Sequence, residues 1–239
     1  MSETVFPKNF LWGAATASAQ IEGGWDCGGR TPSIWDIAPV GKVHNNETCH
    51  TACDHYHRWH EDVALMKELG LKSYRFSVSW SRIVPREGET NGEGLKFYSD
   101  LVDALLEAGI EPLVTLYHWD LPMCLFDQGG FENPQFPEWF EAYAKVCFEA
   151  FGDRVKMWST FNEAQISINS GMALGSFPPF IEDKKAALLA GHYTILAHFR
   201  AVRLYKSLKQ GGKIGAVNCI RAIHPARMKE EDVDAVHIQ

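Results

Sequence analysis

The sequence predicts an α/β fold in which helices cover a parallel sheet. Short runs rich in β-forming residues alternate with amphipathic helical stretches, and this alternation is typical of parallel sheets. Pattern alone does not choose between a doubly wound sheet and a closed barrel. A dinucleotide-binding sheet carries a Gly-rich turn after its first strand, whereas the Gly-dense residues 23–29 lead into Arg30-Thr31-Pro32. Polar side chains at strand ends also favour a barrel, because barrel enzymes carry their chemistry there.

Five strands are predicted. They are a weak first strand at Phe10–Ala17, followed by Ser73–Trp80, Glu111–Trp119, Val155–Glu163 and Lys213–Cys219. The last four are apolar or alternating runs of the length that strands have. His118 and Trp119 end the third run, and Asn162 and Glu163 end the fourth. These four residues are therefore candidates for one functional site.

Amphipathic helices separate the predicted strands. They are expected around Asp54–Leu69, around Leu95–Ala108, from Pro137 onward, at Asp183–Lys209 and from about Glu230. The first predicted helix carries Trp59, Val63, Met66 and Leu69 on one stripe, as a core-facing helix does. Gly109 is well placed to end the second helix. No Pro/Ser-rich linker or low-complexity tract divides the chain, so residues 1–239 are expected to form one unit.

Composition limits the class of partner. The chain has 239 residues, 46% of them hydrophobic, and a net charge of -7 from 30 acidic and 23 basic residues. This acidic balance without a basic run disfavours nucleic acid and anionic membranes as partners. The N-terminus has no signal-peptide pattern, and the six scattered cysteines fit reduced thiols better than a disulfide framework. We therefore expect a cytoplasmic protein.

Chemistry at the strand ends has two interpretations from the residues alone. Glu163 directly follows an apolar run, where partial desolvation would raise the pKa of its carboxyl group toward that of a general acid. A solvated glutamate at the rim would give the same pattern. The Trp119 face could stack on a sugar ring and His118 could bond its hydroxyls, yet a structural histidine beside a core tryptophan is equally compatible.

Several stretches together resemble glycoside hydrolase family 1, the family of β-glucosidases and 6-phospho-β-glucosidases. They are FLWGAATASAQIEGG at 10–24, ACDHYHRWHEDVALMKELGLKSYRFSVSWSRI at 52–83, VTLYHWDLP at 114–122 and WSTFNEA at 158–164. These blocks are spread over the whole chain. The resemblance implies a (β/α)8 barrel, of which this chain supplies about the first five β/α units.

The resemblance also implies residue roles. Glu163 would be the catalytic acid/base, Asn162 would bond the sugar 2-hydroxyl, and Gln20, His118 and Trp119 would line the subsite for the glycone, the sugar on the non-leaving side. Arg75 would lie beside the nucleophilic carboxylate. The implied reaction is retaining hydrolysis of a β-glycoside by double displacement, which needs no cofactor.

Residues 49–60 carry two cysteines and four histidines, a density that could bind zinc. His57 and Glu61 are one turn apart on the predicted helix. The segment belongs to a block that resembles a family without a metal, so we expect these side chains to make structural hydrogen bonds. Other departures from the family are Ala164 after the catalytic glutamate and the Phe177-Pro178-Pro179-Phe180 segment.

The family's nucleophilic glutamate belongs to a later part of the barrel, so we expect it on a missing C-terminal half. Glu22, Asp36 and Asp120 are the carboxylates near predicted strand ends, and the resemblance gives none of them that role. A five-stranded open barrel is expected to be poorly stable, to self-associate or to need a complementary C-terminal chain. The alternatives to a hydrolase are a sugar-binding protein that keeps the glycone subsite and a catalytically incompetent fragment.

Overall fold

The computed structural model describes residues 5–220 and 222–237, and a five-stranded sheet forms its centre. The strands are β1 Gly13–Ala15, β2 Ser73–Ser77, β3 Glu111–Tyr117, β4 Met157–Asn162 and β5 Lys213–Val217. Every neighbouring pair is parallel, and the strand order in the sheet equals the chain order. Sequential parallel order is that of a (β/α)8 barrel, whereas a doubly wound sheet reverses its order at a switch point. The predicted fold class is confirmed.

Helices connect these strands and cover the outside of the sheet. They are α1 Ser18–Ile21, α2 His55–Glu68, α3 Trp80–Ile83, α4 Gly92–Glu107, α5 Met123–Phe126, α6 Phe136–Phe151, α7 Ala164–Ile168, α8 Lys184–Leu208 and α9 Glu230–His237. The five predicted helices correspond to α2, α4, α6, α8 and α9. Within the described ranges, no helix is both long enough and apolar enough to cross a membrane.

Helix boundaries follow local capping chemistry. The Asp183 side chain accepts hydrogen bonds from the backbone N–H groups of Lys185 (2.7 Å) and Ala186 (3.1 Å), which satisfies two orphan donors at the start of α8. Asn91 caps α4 in the same way. Gly109 has a φ of 73°, so it ends α4 in the left-handed conformation that glycine favours.

The core lies between the sheet and the inner faces of α4 and α6. Trp80 stacks on Tyr143 with ring centroids 4.6 Å apart, and both side chains are almost completely buried. Val63 and Met66 of α2 are also buried, as the predicted stripe requires. Leu69 is an exception, because it lies beyond the end of α2 in the turn before Gly70 and is 76% exposed. The stripe therefore ends one turn earlier than predicted.

Both edges of the sheet are exposed. All three residues of β1 are exposed, and so are three of the five residues of β5. Phe6, Phe10 and Trp12 form an exposed aromatic group beside β1. Near β5, the outer face of α8 exposes Leu188, Leu189, Ile195, Leu196 and Phe199. Apolar surface of this extent is typical of a face that another polypeptide covers.

Two glycines of α4 provide a matched test of this packing. A Cβ atom at Gly94 would lie 2.1 Å from the carbonyl oxygen of Arg82, whereas a Cβ atom at Gly92 would meet no atom within 4 Å. We expect Gly94→Ala to lower the free energy of unfolding by about 1–3 kcal/mol, because the helix must shift away from rigid backbone. Gly92→Ala should leave it unchanged or raise it by roughly 0.5 kcal/mol. Urea denaturation measures both values, and equal effects would contradict the close approach of α4 to Arg82.

Candidate active site

The predicted site residues lie together at the carboxyl ends of the strands. Gln20 lies on α1 directly after β1, and Arg75 lies within β2. His118 and Trp119 follow β3, and Asn162 is the last residue of β4 with Glu163 next to it. Because the strands are parallel, their carboxyl ends all lie at the same end of the sheet.

The Asn162 side chain is the centre of a hydrogen-bond network. Its Oδ1 accepts a hydrogen bond from the Arg75 guanidinium, and its Nδ2 donates to Nε2 of His118 at 3.0 Å. Its backbone carbonyl accepts a hydrogen bond from the Trp119 indole N–H at 2.9 Å. Arg75 in turn donates from Nε to Thr115 Oγ1 at 3.1 Å. Asn162 at the end of β4 is therefore linked to Arg75 of β2 and to the two residues that follow β3.

His118 is held as a neutral imidazole. Burial lowers the pKa of His118 to about 4, and the nearby Arg75 guanidinium lowers it further in the same direction. Because Nε2 accepts from Asn162, the proton of the neutral ring lies on Nδ1. This Nδ1 is buried and has no hydrogen-bond partner among the described residues.

Glu163 occupies a constrained position at the start of α7. Its φ of 46° and ψ of 52° are left-handed, a conformation that costs about 1–3 kcal/mol and is typical of functional sites. The backbone N–H of Glu163 donates to the carbonyl of Val217 at 2.7 Å, which ties this corner to β5. Burial lowers the pKa of the Arg75 guanidinium, and the Glu163 carboxylate opposes that shift. The two charged groups are therefore electrostatic neighbours.

A cavity of about 330 Å³ opens beside this network. Gln20, His118 and Trp119 line it together with Trp35 and residues of the 43–52 segment. The indole rings of Trp35 and Trp119 stack with centroids 6.2 Å apart, and the Phe177 ring lies 5.5 Å from Trp119. Trp35 was not identified from the sequence, because neither a strand end nor one of the matching blocks marks it.

The three other carboxylates near the strand ends already have structural partners. Glu22 pairs with Arg82 at 3.1 Å and accepts a hydrogen bond from Tyr98. Asp36 pairs with Arg30 at 2.8 Å. Asp120 accepts from Ser18 Oγ at 2.9 Å. All three are buried, so each is bound within the protein rather than presented to the cavity.

The segment rich in cysteine and histidine makes local hydrogen bonds. His55 Nδ1 contacts Asp62 at 2.5 Å, and His57 Nδ1 contacts Asp54 at 2.6 Å. The Cys49 sulfur lies 3.5 Å from an oxygen of Asp36. Burial, and to a smaller extent the Asp36 carboxylate, raises the pKa of the Cys49 thiol to about 12. In the described part of the chain, no three His, Cys, Asp or Glu side chains converge as a metal site would require.

Comparison with known proteins gives a consistent set of relatives. A sequence model described as glycosyl hydrolase family 1 matches residues 2–239. The chain is 46% identical to β-glucosidase A of Thermotoga maritima over 239 residues, which covers 99% of this chain and 54% of that protein. It is 45% identical to the aryl-phospho-β-D-glucosidase BglC of Bacillus subtilis over 232 residues, which covers 95% and 49% respectively.

Solved structures show the same similarity. The structure of a family 1 β-glucosidase from Thermotoga maritima matches with a TM-score of 0.94 at 46% identity, over 97% of this chain and 53% of that one. A complex of the Thermotoga maritima β-glucosidase with glucoimidazole matches with a TM-score of 0.95, over 98% and 54% respectively. The chain thus spans about half the length of the curated relatives that it matches.

The buried carboxyl group of Asp120 couples the free energy of unfolding to pH. Burial raises the pKa of its carboxyl group to about 7, while Arg30 and the Ser18 hydroxyl oppose the shift. Between about pH 4 and pH 7 the folded chain therefore holds a proton that the unfolded chain releases. Raising the pH through this window favours the unfolded state, by up to about 4 kcal/mol in total for a shift of this size.

We expect Asp120→Asn to remove this pH-dependent contribution to the free energy of unfolding, because the amide does not titrate. Urea denaturation at pH 5 and pH 8 measures the free energy of unfolding of both proteins, and the drop between the two pH values should be smaller in the variant. Asp127→Asn, at an exposed position directly after α5, is the control for the loss of one carboxylate. An equal drop in the parent chain and in Asp120→Asn would contradict a titration of Asp120 in this range.

Proposed function

The chain belongs to glycosyl hydrolase family 1, and from this membership we propose that it is the N-terminal part of a single (β/α)8 barrel that hydrolyses β-glucosides or 6-phospho-β-glucosides. The observation that carries the proposal is the position of Glu163 at the end of β4, beside the Asn162 network and next to Arg75. The reaction is a double displacement with retention of configuration at the anomeric carbon.

Glu163 acts as the acid/base in this proposal. In the first step its carboxyl proton goes to the glycosidic oxygen as the aglycone leaves, and in the second step its carboxylate removes a proton from the attacking water. Its partly exposed side chain allows water to arrive after the aglycone has left. Asn162 bonds the sugar 2-hydroxyl, and the Arg75 contact that fixes its amide supports this role.

Gln20, His118 and Trp119 form the glycone subsite. The His118 imidazole hydrogen-bonds a sugar hydroxyl, and the Trp119 ring supplies an apolar face for the sugar, since both side chains line the cavity. Gln20 is exposed, lines the same cavity and can offer both a donor and an acceptor. This combination suits a neutral ring that carries several hydroxyl groups.

The nucleophile comes from outside the 239 residues in this proposal. A retaining pair of carboxyl groups lies about 5 Å apart. Glu22, Asp36 and Asp120 are all buried and bonded to other residues, so none of them is free to attack an anomeric carbon. Arg75 is half-buried next to Glu163, where it can also pair with a second carboxylate.

A complementary C-terminal polypeptide would complete the barrel. The exposed edges β1 and β5, the aromatic group beside β1 and the apolar face of α8 support such a partner, or else association between copies of this chain. We also propose a cytoplasmic location, which the six free cysteines support.

Hydrolysis of aryl β-glucosides tests the proposed function. We expect the chain alone to be inactive, and the chain refolded with the C-terminal half of a family 1 enzyme to release a nitrophenol from the glucoside or its 6-phosphate. Glu163→Ala should slow the 4-nitrophenyl substrate by about 100-fold or more, since general acid catalysis contributes that much. With the 2,4-dinitrophenyl substrate, the same variant should show a smaller loss of rate in the first step, because this leaving group departs without being protonated.

Glu107→Ala is the matched control, because Glu107 is exposed at the end of α4, away from the carboxyl ends of the strands, and should not affect turnover. Activity of the lone chain would show that a residue within it supplies the nucleophile. Binding of glucoside by the refolded mixture without any turnover would replace the hydrolase with a sugar-binding protein.

A further inference from the structure

We propose that Asp120 is a positioning residue that ties the Gln20 side of the cavity to the Trp119 side through Ser18. This inference rests on the proposed function only where it concerns sugar affinity. The tie itself is a buried hydrogen-bond chain, called here the serine–aspartate chain, formed by Ser18, Ser77 and Asp120. These three residues belong to three different β/α units.

The geometry of the serine–aspartate chain is continuous. The backbone N–H of Ser18 donates to Ser77 Oγ at 2.8 Å, and Ser77 Oγ donates to Ser18 Oγ at 3.1 Å. Ser18 Oγ donates to Asp120 Oδ2 at 2.9 Å. Each hydroxyl group therefore donates its proton to the next group in the chain, and the last acceptor is the Asp120 carboxylate.

Burial makes this link difficult to replace. Ser18, Ser77 and Asp120 are 4%, 1% and 0% exposed, so water cannot substitute for a lost partner without a structural change. The second oxygen of Asp120, Oδ1, has no hydrogen-bond partner among the described residues. The Ser18 hydroxyl is therefore an important source of hydrogen bonding to this carboxylate.

The two ends of the link lie next to the cavity walls. Ser18 is the first residue of α1, and Gln20 is two residues further along the same short helix. Asp120 directly follows Trp119, and both Gln20 and Trp119 line the cavity. The distance between these walls therefore depends on the bond between Ser18 and Asp120.

Trp119 needs such an anchor because its backbone is strained. Its φ of 77° is rare for a large side chain and persists only where the surroundings enforce it. The indole N–H bond to the Asn162 carbonyl holds the ring, and Asp120 holds the backbone on its other side. Without the second anchor, the strain can relax by moving the indole away from Gln20.

Hydrogen–deuterium exchange tests the tie without any need for turnover. We expect Ser18→Ala and Asp120→Ala each to raise the exchange rates about tenfold in two separate peptides, one containing Gln20 and one containing Trp119. Asp120→Asn should stay close to the parent chain, because its amide oxygen still accepts from Ser18. Ser73→Ala removes a hydroxyl that donates to the Glu111 carbonyl at the other end of β2, and it should affect neither peptide.

A change confined to the peptide that carries the substitution would overturn the proposal, as would an equal change in Ser73→Ala.

Kinetics of aryl β-glucoside hydrolysis give the second test, in the chain combined with a C-terminal half. Ser18→Ala should raise KM about tenfold and leave kcat within about twofold, because it loosens the sugar subsite and not the acid/base. A fall in kcat with unchanged KM would contradict the proposed role. If no combination of the two halves hydrolyses the substrate, the proposed hydrolase function fails. Hydrogen–deuterium exchange still tests the link between Ser18 and Asp120 in that case.

Discussion

The site depends on the parallel register of three consecutive strands, β2, β3 and β4. Because Ser77 pairs with Thr115 and Tyr117 pairs with Phe161, the ends of β2, β3 and β4 lie at the same level. This alignment brings Arg75, His118 and Asn162 within hydrogen-bond distance across more than 80 residues of sequence. A shift of one residue in any pair would turn these side chains to the other face of the sheet.

Buried polar side chains are bonded to one another next to the segment that carries Gln20. Arg82, Glu22 and Tyr98 form a buried network beneath the segment that carries Gln20. Each group is bonded to others, so removing one partner would leave a buried charge or dipole unsatisfied.

Secondary structure and the location of the site could be predicted from the sequence, because both depend on local pattern. The polar residues after β3 and β4 follow apolar runs that the period of a strand defines. The roles of those residues came from the resemblance, since spacing alone leaves Glu163 equally compatible with a solvated rim position. Trp35 and the bond between Ser18 and Asp120 could not be predicted, because they arise where separate loops meet. Leu69 was misplaced because the helical period does not show where the helix ends.

The strand order has a consequence for the way in which the protein is made. Each strand pairs only with the strands that come directly before and after it in the chain. Each pairing can therefore form as soon as the later of its two strands has left the ribosome. The residues from Gln20 to Glu163 thus come together as soon as β4 adds to β3, and β5 then fixes the backbone at Glu163. Assembly can follow the direction of synthesis, and the growing edge of the sheet always belongs to the newest segment. The cavity beside Trp119 can in this way form before α9 has been synthesised.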